Sequence, residues 1–311
     1  MAKESGKPRR ESLKAKAGAS AAPVAANVPD PLSREQLMPL LTRIGLPLLA
    51  AWMIGGLIAG VSHSDTVIWI ALGIPVALTL AAIGLLVWVT RQARKAKSVV
   101  GILSKAGTKD ERDAALAQLD ARYKANDPTA VFAKAQLLMQ EDPRKALEVL
   151  ETINLNKVMA SMADEARGQR AMIHLLLGEV TPARDLADGI QLARHQDPRS
   201  RAMLAAVVSE AWARSGQAKR AVDTLSVIDA DDEQLAQLRP QIFRAQAFAF
   251  AYTNDFKQTQ RALKRLAQQD PHLLGGFMDK KTHPLLQKEA KKLLEQSGVV
   301  PRKMQVQRRL S

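Results

Sequence analysis

Any chemistry in this 311-residue chain would rest on its five histidines and its carboxylates, because the sequence contains no cysteine. That absence excludes structural disulfides, thiolate metal sites and a thiol nucleophile. The sequence also lacks a phosphate-cradling glycine loop, a G-x-S-x-G elbow and an H-E-x-x-H helix. His63 and Asp65 share the segment Ser62-His63-Ser64-Asp65-Thr66, but two ligands do not complete a metal site. The run Asp229, Asp231, Asp232 and Glu233 lacks the longer, glycine-containing spread of a calcium loop and reads as a solvated acidic loop. His174 falls on a helix pattern as a packing residue. His195 and His272 fall near helix ends, and His283 precedes Pro284 at a helix start. No catalytic residue, cofactor or metal ligand is expected, and the chain reads as a non-enzyme.

The elements around these residues begin with two apolar runs. Ile44 to Val61 and Val67 to Thr90 contain no charged residue. A helix crossing the hydrocarbon core needs about 20 apolar residues, so both read as spans. Five residues between them allow only a turn, which predicts an antiparallel transmembrane hairpin. Trp52, Trp69 and Trp88 add amphipathic aromatics, although Trp52 lies too deep for an interface role. Gly55, Gly56, Ala59 and Gly60 form a small-residue face, read here as packing inside the hairpin. Pro47 reads as a helix start and Pro75 as a kink.

The formal net charge is +14, from 45 Lys+Arg against 31 Asp+Glu. Basic residues flank the apolar runs: Arg34 and Arg43 before, then Arg91, Arg94, Lys95, Lys97 and Lys105 after. The connecting loop has neither Lys nor Arg. Positive-inside bias then puts both termini in the cytoplasm of a bacterial-type inner membrane. A surplus of positive charge also suits anionic lipid or nucleic acid. Arg91–Lys105 and Lys280–Arg309 would carry that contact. The stacking aromatics that single-stranded nucleic acid uses are absent from both, so lipid is preferred.

Beyond residue 109 the pattern becomes amphipathic helix with turn signals at Asn126-Asp127-Pro128, Glu141-Asp142-Pro143, Asp197-Pro198 and Asp270-Pro271. Asp caps a helix start and Pro suits its first turn. Aromatic content is 4%, and no alternating strand pattern is present, so the domain reads as all-α. Gly178, Gly216 and Asn254 recur 38 residues apart, each after a helix pattern and before a second one. One period earlier lies Gln140, beside another turn. Gly and Asn tolerate the left-handed conformation that ends a helix.

On these residues the chain resembles the tetratricopeptide repeat family. The best unit runs from Ala202 to about Glu233, with Ser209 and Trp212 in its first helix, Gly216 in its turn, and Ala221 and Leu225 in its second. Ala171, Gly178 and Ala183 match in the unit before. Ala247, Phe250, Leu263 and Pro271 match in the unit after, where Thr259 replaces Ala. The earliest unit keeps Ala146 and Leu150. The period exceeds the family's 34 residues, so a related helical-hairpin solenoid is the alternative.

The resulting expectation is a two-helix transmembrane hairpin followed by an α-solenoid. Residues 1–33 form a disordered basic tail, 34–97 the hairpin, and 98–127 a basic linker with a lead-in helix. Repeats follow over 128–275, a capping helix over 276–297, and a basic tail over 298–311. The resemblance implies that first-helix side chains line a groove for a protein partner. Carried over, these are Met172, Glu210, Arg214, Arg244, Phe248 and Tyr252. The implied function is a membrane-anchored scaffold, with anionic-lipid or nucleic-acid binding through the basic segments as the alternative.

Overall fold

A computed structural model describes residues 34–139, 141–279 and 281–299, so the two expected tails and Gln140 lie outside it, apart from Gly298 and Val299. Every regular element among the described residues is helical. The chain divides into two compact units that meet in sequence at Lys124 and Ala125.

The first unit holds α1 (Arg34–Val61), α2 (Asp65–Leu103) and α3 (Lys109–Arg122). Ser62-His63-Ser64 joins α1 to α2, and the two helices pack along each other. Pro75 lies inside α2. Proline has no N–H, so it gives the carbonyl of Ala71 no helical partner. Gly55 of α1 approaches there: a Cβ at Gly55 would collide with that carbonyl oxygen. Trp52, for which the sequence offers no role, donates its indole N–H to Thr79 Oγ1 at 3.1 Å, and that hydroxyl donates to Pro75 O at 2.7 Å. Both side-chain polar groups thus have partners, one across the helix pair and one within α2.

Three sequence expectations change here. Pro47 lies within α1 and not at its start. Gly56 and Gly60 meet nothing within 4 Å where a side chain would stand, so Gly55 alone of these glycines marks the close approach. Among the described residues, one helical stretch, Asp65–Arg91, is long and apolar enough to cross a membrane; Gly45–Val61 is apolar but shorter. Only 11% of the apolar window in Asp65–Arg91 is buried within the protein. Its large apolar side chains, including Trp69, Ile70, Leu80 and Trp88, face outward. α2 then continues through Arg91, Arg94, Lys95 and Lys97, so the basic stretch begins as helix. It turns at Thr108, whose side chain and that of Glu111 form a reciprocal capping box opening α3.

The second unit is a series of helix pairs. They are α4 (Pro128–Met139) with α5 (Pro143–Glu151), α6 (Ala160–Leu177) with α7 (Val180–Asp188), α8 (Pro198–Arg214) with α9 (Ala218–Ser226), and α10 (Arg239–Tyr252) with α11 (Phe256–Gln269). α12 (Pro284–Gln296) closes the series, packing on both α10 and α11. Short 3₁₀ turns at Leu192–Arg194, Glu233–Leu238 and Pro271–Phe277 lead into first helices or, at the end, toward α12.

The 38-residue period has a backbone cause. Gly178, Gly216 and Asn254 all have positive φ, at 79°, 94° and 59°. Each is followed by an N–H that reaches back five residues: Glu179 to His174 O (2.8 Å), Gln217 to Trp212 O (2.8 Å) and Asp255 to Phe250 O (2.9 Å). That left-handed closure ends the first helix and redirects the chain into the second. Asp142, Asp197 and Asp270 accept backbone N–H bonds at the next starts, as read from the sequence.

Each first helix packs on its own second helix; α6 also packs on α8 and α8 on α10, and α5, α7 and α9 each pack on the first helix that follows. This nearest-neighbour packing is compatible with a helical repeat. The shared faces are largely Ala, with Leu204, Ile242, Phe243, Leu263 and Leu286 filling between. Where α6 meets α8, Gly168 has no room for a side chain, since a Cβ would run into Leu204 Cδ2. Gly168→Val is therefore expected to destabilise this unit by about 2 kcal/mol through overpacking, read as a lower denaturation midpoint. No change in midpoint would mean that α6 and α8 are not in close contact.

Candidate partner-binding face

The 38-residue period sorts the candidate residues into columns. Met172, Glu210 and Phe248 form one, and Leu176, Arg214 and Tyr252 form the next. Arg244 stands one turn before Phe248 on α10. The structure brings four of the six together. Glu210 is 6% exposed and receives Arg244 from the next repeat through two bonds, Nε to Oε2 at 2.9 Å and Nη2 to Oε1 at 3.0 Å. Arg214, one turn on from Glu210, donates to Oε1 at 3.1 Å and to Leu175 O of the preceding repeat at 2.9 Å. Phe248 is buried, with the guanidiniums of Arg214 and Arg244 at 5.1 and 5.4 Å from its ring centroid.

Glu210 and Phe248 are thus seam residues enclosed within the array. Met172 packs half-buried against the core, and Tyr252 is half-buried edge-on to His283 at 4.9 Å. Leu176, in the same column as Arg214 and Tyr252, is 53% exposed. The open part of the first-helix face therefore lies over Leu176, with half-buried Tyr252 in the same column and Arg214 turned into the seam.

Sequence reading missed what fills this face. Phe277, from the apolar patch before α12, is fully buried with its ring 5.2 Å from Phe248 and within 5.8 Å of the Arg244 guanidinium. Gly276 leaves room for that guanidinium, for a Cβ there would sit 3.0 Å from Nη1. The patch Leu273–Met278 was legible as apolar, but its contact with a residue some thirty positions earlier has no local signal. Asp164 is a second unread centre. It is fully buried, paired with Arg167 at 3.0 Å and Arg194 at 3.4 Å, and 3.6 Å from His195 Nε2. These contacts tie α6 to the loop entering α8.

The other chemistry-bearing residues have local roles. His174 Nδ1 contacts Glu179 at 2.8 Å across a turn. Asp229 and Asp232 accept backbone N–H bonds two residues on, and Asp231 pairs with Arg265. Among the described residues, no three His, Asp or Glu side chains gather around a point where a metal could sit. No protein-family model matches the chain, and no curated protein or solved structure matches it.

Electrostatics fix the charge state of the seam. Burial pushes the Glu210 carboxyl up, but Arg244 and Arg214 outweigh it and hold the group below its ordinary value of 4.5. A carboxylate with a depressed pKa contributes its full stability above the ordinary value and loses it as pH falls through the depressed one. Breaking a buried pair leaves uncompensated charge, at a cost of about 3 kcal/mol. Glu210→Gln is expected to cost that much at pH 7, and the gap to wild type should narrow below pH 4.5. Denaturant melts at two pH values measure it, and a gap that does not change with pH would refute the ion-pair account.

Proposed function

We propose that this protein is a membrane-anchored scaffold whose tetratricopeptide-like array recruits a protein partner at the cytoplasmic face of a bacterial inner membrane. The observation that carries the reading is the outward display of apolar side chains on Asp65–Arg91. A soluble helix of that composition would bury them; an anchor leaves them to lipid. Gly45–Val61 runs beside it, and in this reading it forms the second span of the hairpin. The Trp52–Thr79–Pro75 chain supports that pairing by giving the Trp52 indole and the Thr79 hydroxyl each an acceptor within the hairpin. The basic flanks Arg91, Arg94, Lys95 and Lys97 support a cytoplasmic placement of both ends.

Recruitment would use exposed Leu176 with half-buried Tyr252 and Met172, while Arg214 holds the column from the seam. Exposed apolar side chains and a tyrosine are what protein interfaces favour. A photo-crosslinking amino acid at Leu176 of the full chain, in its native membrane, should give a discrete adduct with one protein. The same probe at Val227, an exposed loop position after α9, should not. Adducts from Val227 equal to those from Leu176, or none from Leu176, would overturn the assignment of this face.

A further inference from the structure

Positive charge is not evenly balanced along the array. Arg144, Arg184, Arg220, Arg239 and Arg265, on α5, α7, α9, α10 and α11, each pair with an acid within the array. Lys145 of α5 and Lys219 of α9 are exposed without an acidic partner among the described residues, and on α11 and α12 such cations become concentrated. α11 carries Lys257, Arg261, Lys264 and Arg265 and not one acidic residue. Lys257, Arg261 and Lys264 follow a spacing of four and three, which sets them on one helical face, and all three are exposed. Lys288, Lys291 and Lys292 of α12 are exposed as well. These six cations have no acidic partner among the described residues, whereas Arg265 has Asp231.

The two helices are tied side by side. Gln260 Nε2 donates to Glu289 Oε2 at 2.7 Å, and Glu289 is buried, so the one acid at the seam is already engaged. Lys264 borders two shallow depressions. One, of about 460 Å³, runs along α11 beside Lys257 and Arg261; the other, of about 140 Å³, lies between the helices beside Lys292. The two depressions are lined by Lys257, Arg261, Lys264, Arg265 and Lys292 with amide side chains between them, by the engaged Glu289 and Leu293, and by no aromatic ring.

We propose that this face of α11 and α12 binds the phosphate headgroups of an anionic bilayer. The inference rests on the anchoring reading above, which keeps the array near a membrane. Unpaired cations on a broad face match a surface of diffuse negative charge. Single-stranded nucleic acid would call for stacking rings among them, and none lines either depression. In this arrangement the last two helices form a second, electrostatic contact with the membrane that carries the anchor. Lipid charge would then set how the array is presented to its partner.

Lysine acetylation footprinting of the full chain tests this, on vesicles of neutral lipid and on vesicles with about a third anionic lipid. Lys257, Lys264 and Lys292 should react at least about fivefold more slowly on the anionic vesicles. Lys145 and Lys157, outside this face, should not change, and raised salt should remove the protection. The variant K257E/R261E/K264E should lose protection at Lys292 while remaining attached to neutral vesicles. Attachment to neutral vesicles depends on the apolar helices alone, so it scores the anchor separately from the face. Equal reactivity on both vesicles, or protection by a DNA duplex but not by anionic lipid, would overturn the proposal.

Discussion

A helix pair in this array has no core of its own. About half of the buried apolar side chains are alanine, and the faces become interior only when the next pair covers them. Alanine faces let helices approach closely, and close approach leaves little room for water at the seams. Polar groups caught there must find partners from the neighbouring pair. Glu210 meets that demand by accepting from Arg214 of its own helix and Arg244 of the next. The pair is therefore a condition of stacking. It locks the register of α8 against α10 and, through Phe248, seats the Phe277 segment that leads to α12.

The same constraint separates surface from seam along the first helices. Glu210 and Phe248 are drawn inside, whereas Leu176, in the neighbouring column, stays in reach of solvent. A partner would meet the turn-end column, and the seam residues would act by holding it in place. Arg184, Arg220 and Arg265 on α7, α9 and α11 pair with acids, whereas the exposed lysines gathered on α11 and α12 do not.

Much of this was legible in the sequence because it is local. A left-handed turn needs Gly or Asn, so Gly178, Gly216 and Asn254 announced the period before any coordinates. Aspartates before prolines announced the helix starts. The apolar runs were legible by composition, although α1 turned out shorter in its apolar part than in its helix. Pairings across tens of residues were not legible. Nothing near Trp52 in sequence points to Thr79, nothing near Phe248 points to Phe277, and Asp164 reads as an ordinary surface acid until α6 is seen against the loop entering α8. For the same reason an open groove was expected where Glu210 and Phe248 are enclosed.

Placement of the array at a membrane depends on the anchor. Alkaline carbonate extraction of native membranes containing the full chain tests it most directly, because high pH strips proteins held by charge but not those held in hydrocarbon. The chain should remain in the pellet, and a variant lacking residues 45–91 should move to the supernatant. Release of the intact chain by carbonate would contradict a membrane-spanning anchor.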